Sequence, residues 1–407
     1  MRLRLFCTVS FLFIVLFSFA QRTIKGKIVN AGTGETLAGT SVFINSTSIG
    51  TSADRNGNFE LNNIPSGRYD LVFSQIGYET QTINFTSEQL PMTVKIEMKV
   101  KVKELQNVTV EKFIEESWEK WGRNFLESFI GTVPNSNDCK IRNTKSIKFR
   151  FFPNSNRLIA FSDEPLMIEN KALGYTIKYQ LEDFEINFKE KTVQYAGYPF
   201  FEEIEKNGKA RQRRWAAARE KAFNGSIMHF FQCVYTNSTE ANGYEIRTMR
   251  RIPNVEKERV KIAYRAGMIT KDSAGKKYLV TVSHPDSSAY YQRILRQNDY
   301  TEVYGPILKN IDSLIIAKEG EFKSLYFEDF LYITYKNELE DQAYITFSNE
   351  NRKPVYQRSY IWLLTGTPVS FSANGSYFPP QELFTMSYWG WNEKIANLLP
   401  VDYKPEK

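Results

Sequence analysis

His229 and His284 are the only imidazoles in 407 residues. A zinc peptidase needs nitrogen and carboxylate ligands closely spaced on one element, as in His-x-x-Glu or His-Glu-x-x-His. Here the histidines are followed by Phe230-Phe231-Gln232 and by Pro285-Asp286-Ser287, so neither offers a second ligand at that spacing. No metal and no cofactor is expected. A nucleophilic serine would need its Gly-x-Ser-x-Gly elbow, which the chain lacks. The run from Asn30 to Thr36 matches a phosphate loop only in its glycines, because the lysine is missing. Carboxylates are the remaining chemistry, in the adjacent pairs Asp163 and Glu164, Glu182 and Asp183, and Glu202 and Glu203. A glycosidase uses two carboxyl groups roughly 5 to 10 Å apart across a sugar, whereas neighbours on a strand point to opposite faces. Surface charge is the better account of these pairs, and no enzyme is expected. A carbohydrate-active hydrolase using them is the alternative.

Three further groups can meet a ligand or a partner. Trp389 and Trp391, in the terminal run Tyr388-Trp389-Gly390-Trp391, can form a stacking platform for a sugar or can dock a terminal helix. Arg213 and Arg214 belong to a basic set with Lys209, Arg211, Arg219 and Lys221 on an expected helix over 209–235, with Ser226 as the N-cap of its second segment. That face is either solvated or meets anionic lipopolysaccharide or an acidic partner. Cys139 and Cys233 can form a disulfide, worth on the order of 4 kcal/mol if unstrained, or can stay as two buried thiols.

The elements that would hold these groups follow a strongly patterned chain. Residues 1–20 read as a secretory signal, with Arg2 and Arg4 ahead of the apolar run Leu5 to Phe19 and a small-x-small site at Ser18-Phe19-Ala20. Cys7 lies inside the apolar run, away from the cleavage point, so no lipid anchor is expected. No later stretch reaches the roughly 18 apolar residues of a membrane helix. Removing the leader takes away two of the 53 basic residues and none of the 46 acidic ones, which lowers the net charge from +7 to about +5, too mild and too dispersed to point to nucleic acid. Aromatic residues make up 14% of the chain, which favours strands.

From Thr23 to Met98, short apolar runs alternate with turn signals at Asp54-Arg55-Asn56-Gly57-Asn58 and Ile64-Pro65-Ser66-Gly67. This predicts about seven strands in an antiparallel sandwich. Asp54 can accept hydrogen bonds within its own turn. Asp54, Asn56 and Asn58 are not a calcium loop, since an EF-hand needs glycine where Phe59 stands. Next, Ile114, Trp118, Trp121, Phe125 and Phe129 recur at helical spacing, with Gly131 as the stop. Strands are expected over 147–152, 158–161, 166–168, 174–188, 192–196, 279–282, 331–335, 343–347 and 356–364.

Several of these marks appear together in a known module. Gly26, the run Thr36 to Gly39, Gly50-Thr51, Asp54-x-x-Gly57-x-Phe59, Pro65-x-Gly67-x-Tyr69 and Gly77-Tyr78 resemble the carboxypeptidase regulatory-like domain, a transthyretin-like sandwich. The resemblance implies a carbohydrate-binding-like fold without catalytic activity, of the kind attached to peptidases, adhesins and transporters. Further on, residues 129–143, 164–186, 197–203 and 213–235, together with the terminal Trp391-x-x-x-x-Ala396-x-x-Leu399-Pro400, are similar to the large C-terminal region of exported proteins of Gram-negative bacteria that carry this domain. That family has no established activity. The resemblance implies three segments: signal 1–20, sandwich 21–105, and a C-terminal α+β domain over 106–407. It also implies a non-catalytic protein of the periplasm, outer membrane or cell surface that binds a glycan or another envelope protein.

Overall fold

The computed structural model describes residues 22–101, 111–205, 208–271, 277–279 and 285–405. The expected signal at 1–20, Cys7 and His284 lie outside the described residues. The first seven strands are β1 (Ile24–Asn30), β2 (Ser41–Ile44), β3 (Gly50–Ser52), β4 (Asn58–Leu61), β5 (Arg68–Ser74), β6 (Gln81–Thr86) and β7 (Met92–Met98). They form two sheets, β4-β1-β7 and β3-β2-β5-β6, closed over Ile28, Val42, Leu71 and Phe73. One pairing, β1 with β7, is parallel. The Asp54 turn forms as its residues dictate. Asp54 Oδ1 accepts from the backbone N–H of Asn56 and of Asn58, both at 2.8 Å, and these bonds hold its carboxyl below its ordinary value. Gly57 sits at φ +75°, where a Cβ would also lie 2.5 Å from the Ile28 carbonyl.

A seven-stranded antiparallel sheet follows: β8 (Ile114–Glu116), β9 (Cys139–Ile141), β10 (Ile147–Phe152), β11 (Arg157–Ser162), β12 (Leu166–Asn170), β13 (Tyr175–Asn187) and β14 (Thr192–Glu203). At thirteen residues, β13 is long enough to take β12 beside its first half and β11 beside its second, with β14 along its other edge. The helix Trp118–Phe129 lays Phe125 and Phe129 onto Phe149, Phe184 and Tyr179 of this sheet. Ile114 is not on that helix. It pairs with Phe151 as part of β8, so its helical spacing to Trp118 was coincidental.

Helices Lys209–Phe223 and Ile227–Tyr235 meet at Ser226, whose Oγ accepts from His229 N at 3.1 Å. Beyond them the chain forms β15 (Tyr244–Pro253), then helices Val255–Met268 and Pro285–Leu295 around the small hairpin β16 (Ile269–Lys271) and β17 (Lys277–Leu279). The remaining strands are β18 (Tyr300–Ile307), β19 (Ile315–Glu319), β20 (Phe322–Leu325), β21 (Phe330–Leu339), β22 (Tyr356–Leu363), β23 (Val369–Ser372), β24 (Tyr377–Phe378) and β25 (Leu383–Ser387). They assemble into a five-stranded sheet, β18-β15-β21-β22-β25, and a four-stranded sheet, β19-β20-β23-β24. Residues 343–347 are helical rather than extended. Asp341 caps them, its Oδ1 accepting from Ala343 N at 2.9 Å, and Tyr344 and Ile345 reach the core while Phe347 stays exposed.

The sandwich is docked against the rest of the chain. The outer face of its second sheet gives Phe43 and Val72 to a small cluster with Phe200 of β14. Backbone bonds run from Ser46 N to Pro199 O at 2.8 Å and from Phe201 N to Thr47 O at 3.0 Å. Among the described residues no helix is long and apolar enough to cross a membrane.

Candidate ligand-binding face

The five-stranded sheet has two unlike faces. Its inner residues Ile246, Leu331, Ile333 and Ile361 lie at 0–2% exposure beneath Phe230, Phe231 and Trp389. Its outer face carries two cross-strand rows set by register. In one, Arg247 of β15 stands opposite Tyr332 of β21, which stands opposite Tyr360 of β22 and then Met386 of β25. In the next, Tyr304 of β18 pairs with Met249, Met249 with Phe330, and Trp362 with Phe384. The rings touch along and between the rows: centroids are 5.0 Å apart for Tyr304–Tyr332 and Tyr332–Tyr360, 5.6 Å for Phe330–Trp362 and 5.2 Å for Trp362–Phe384. Apart from the buried Met249, these side chains remain partly open to solvent.

Polar groups border the rings at the β18 edge. The Arg251 guanidinium lies 4.3 Å from the Tyr300 ring centroid and 4.7 Å from that of Phe330, within the range of cation–π attraction. It also pairs with Glu302 at 3.3 Å. The hydroxyls of Tyr304 and Tyr360 both donate to Glu302 and lie 3.0 Å from each other. Burial, with the Glu302 charge beside them, pushes both phenols above their ordinary value, so they stay neutral donors at any physiological pH. Arg251 Nε is buried and has no hydrogen-bond partner. The result is a set of partly exposed rings beside a guanidinium, a carboxylate and two hydroxyls in one network.

Of the two roles open to Trp389 and Trp391, the sugar platform is overturned and the docking of the terminal segment is what forms. Their exposures are 2% and 3%. Trp389 Nε1 donates to Gly225 O at 2.7 Å and Trp391 Nε1 to Thr132 Oγ1 at 3.0 Å, so both indoles anchor the terminal segment in the core. Cys139 and Cys233 are free thiols, each buried in a different core, and the expected alternative of a bridge is excluded by that separation. Arg213 and Arg214 are exposed on helix Lys209–Phe223, whereas Arg219 of the same helix is taken up by Glu203 at 2.9 Å and by the Tyr175 ring.

Asp163, Glu164, Glu202 and Glu203 are engaged in ion pairs and hydrogen bonds, whereas Glu182 and Asp183 are exposed on β13. Lys148 reaches Asp163 at 2.5 Å, Asn143 donates to Glu164 at 3.1 Å, and Lys178 meets Glu202 at 2.7 Å. No group of three metal-ligating side chains occurs among the described residues. His229 is enclosed by Phe223, Tyr244 and Tyr335. Its Nδ1 accepts from Gly225 N at 3.2 Å, and burial pushes its pKa down to about 4, which keeps it a neutral core residue. The aromatic face escaped the sequence reading because both parities of Phe330–Ile333 and of Tyr360–Leu363 are apolar or aromatic. Period-2 contrast, the usual sign of one solvated face, is therefore missing.

A family model describes the first of these units. Residues 24–110 match the CarboxypepD_reg-like domain. The matched stretch contains all seven sandwich strands, in agreement with the resemblance carried by the glycines and the Asp54 turn. No curated protein matches the chain. Among solved structures, a cohesin–X-dockerin complex from Acetivibrio cellulolyticus is similar at 26% identity over 19% of this chain, with a TM-score of 0.17. The match spans 57% of that chain. A candidate carbohydrate-binding protein from Bacteroides uniformis is 10% identical, with 44% of this chain and 78% of that one covered and a TM-score of 0.15. A candidate membrane-associated protein of unknown function from Bacteroides fragilis is also 10% identical, with 86% and 93% covered and a TM-score of 0.16. With TM-scores this low, none of the three bears on function.

Proposed function

We propose that this chain is a non-catalytic, exported protein of the cell envelope that binds a glycan on the outer face of its five-stranded sheet. The observation that carries this reading is the pair of aromatic rows, Tyr304, Tyr332 and Tyr360 beside Phe330, Trp362 and Phe384, open to solvent and bordered by Arg251 and Glu302. A pyranose presents an apolar C–H face and a rim of hydroxyls. Rings take the first, and planar charged groups with phenols take the second. Export rests on the positive start, apolar run and cleavage site of residues 1–20. The absence of catalysis is an inference from the engagement of Asp163, Glu164, Glu202 and Glu203 and from the aromatic enclosure of His229. The sandwich, docked on β14 of the seven-stranded sheet, acts as an attachment unit.

The test is a glycan array with the mature chain, followed by titration of the best glycan against Trp362→Ala and Tyr360→Ala. Loss of binding in both variants, with folding intact, supports the face. A panel with no binder rejects the glycan and turns the search to an envelope or outer-membrane protein as the ligand of this surface. Release of reducing ends from any panel member would replace the binder with the carboxylate hydrolase.

A further inference from the structure

An opening lies where the sandwich meets the seven-stranded sheet. It is a cleft of about 500 Å³ with residues of both units in its walls, the size and the position at which small-molecule sites commonly form. Its apolar wall is formed by the partly exposed Pro165 and Met167, with Phe43, packed on Phe200, beneath. Ile76, 71% exposed, stands at the lip.

The polar lining is fixed by hydrogen bonds. Ser74 Oγ donates to Gln180 Oε1 at 3.1 Å across the junction, and both residues are buried. Thr40 Oγ1 donates to Gln75 Oε1. With each amide oxygen engaged, the NH2 end of each glutamine is the one left for a guest. Asn143 Nδ2 holds Oε1 of Glu164 and leaves the other carboxylate oxygen as an acceptor, while Lys178 is neutralised by Glu202 at 2.7 Å.

Two amide donors, serine hydroxyls and one carboxylate acceptor face the apolar wall of Pro165 and Met167, and the only cation among the described lining residues is already paired. We infer that this cleft is a binding site for a small neutral polyol with one apolar face, a mono- or disaccharide, held between the sandwich and the sheet. Glutamine amides and a carboxylate satisfy vicinal hydroxyls, and Pro165 and Met167 take the C–H face. A phosphorylated or carboxylated ligand fits poorly, because Lys178, the one cation among the described lining residues, is held by Glu202. This site is separate from the outer face of the five-stranded sheet and does not depend on what that face binds.

The experiment is isothermal titration of the whole mature chain with neutral mono- and disaccharides, namely glucose, galactose, mannose, N-acetylglucosamine, maltose and cellobiose. At least one is expected to bind. Ser41→Trp, which fills the cleft without removing any of these hydrogen bonds, should abolish that binding. Gln75→Ala should weaken it about tenfold through the lost amide, and Trp362→Ala should leave it unchanged. Gln75 is half-buried, so its variant reports even if Ser41→Trp does not fold. No binding by any of the six sugars overturns the inference. Binding that survives Ser41→Trp and Gln75→Ala also overturns it, and if Trp362→Ala removes that binding, the sugar sits on the sheet face instead.

Discussion

The seven-stranded and five-stranded sheets are built from similar residues yet treat their aromatics differently. On the first, the helix Trp118–Phe129 covers one face, and the sandwich covers the other over β13 and β14, so that Phe184, Phe201 and Phe200 are all buried. On the second, one face is filled by Phe230, Phe231 and Trp389, while the other keeps Tyr332, Tyr360 and Trp362 partly exposed. Composition alone cannot separate the two cases. What separates them is whether another element arrives to cover the sheet, and only an uncovered aromatic face is free to meet a ligand.

The sharpest way to break this contrast is to truncate one tryptophan on each side of the same sheet. Trp389→Ala removes a fully packed indole and its bond to Gly225, and should cost about 3 to 5 kcal/mol, read as a large fall in the chemical-denaturation midpoint. Trp362→Ala should cost about 1 kcal/mol in stability, because its ring is only partly covered. It should, however, weaken glycan binding ten- to a hundredfold, equivalent to about 1.4 to 2.7 kcal/mol. Equal stability losses in the two variants would mean that the outer face is closed in solution, and the contrast would fail.

How much of this was legible in the sequence follows from the same contrast. The sandwich was readable because its turns need specific chemistry: Gly57 at positive φ and Asp54 capping its own turn leave a mark at fixed positions. The two helices around Ser226 were readable for the same reason, since the cap is local. The fate of Trp389 and Trp391 was not, because burial is decided by partners such as Gly225 and Thr132, more than 150 residues away in the chain. Phe330 to Ile333 hid the aromatic face through apolar residues on both parities, and Ala343 to Phe347 looked extended until Asp341 capped it. Local chemistry survives in a sequence, whereas pairings across distant strands do not.

The inner core beneath the sheet has a pH signature that the outer face should lack. Burial pushes Glu393 up to about 7, despite the bond its Oε1 accepts from Ile227 N at 3.3 Å. A carboxyl raised from 4.5 to about 7 on folding binds more protons in the native state between those values, so its contribution to stability falls as pH rises through that window. Glu393→Gln keeps the acceptor and removes the charge. It should be about 1 to 2 kcal/mol more stable than the parent at pH 8 and nearly equal to it below pH 4.5. His229 acts in the opposite sense. Depressed to about 4, it costs stability as pH falls from 6.5 toward 4, so the parent's optimum should lie between these two effects and shift upward in Glu393→Gln. Denaturation midpoints across pH 4 to 8 for both proteins decide this, and parallel curves would place Glu393 in contact with water.

The smallest expected effect tests whether the covering sandwich is held by packing or by its polar contacts. Ser48 donates to Asp402 through its backbone N–H at 3.1 Å and through its hydroxyl, and Val401 N donates to Ser46 O at 2.8 Å, so the terminal segment lies across the β2–β3 turn. These contacts are close to the surface, where a hydrogen bond contributes about 0.5 kcal/mol. The Phe43–Phe200 contact beneath them, with centroids 5.2 Å apart, buries far more apolar area. Asp402→Ala should therefore leave the unfolding midpoint nearly unchanged and leave limited proteolysis of the junction at its parental rate. Phe200→Ala, at a packed position, should release the sandwich to protease. If Asp402→Ala alone frees it, the cover depends on the terminal clasp, and the burial of the seven-stranded sheet is as conditional as the exposure of its five-stranded counterpart.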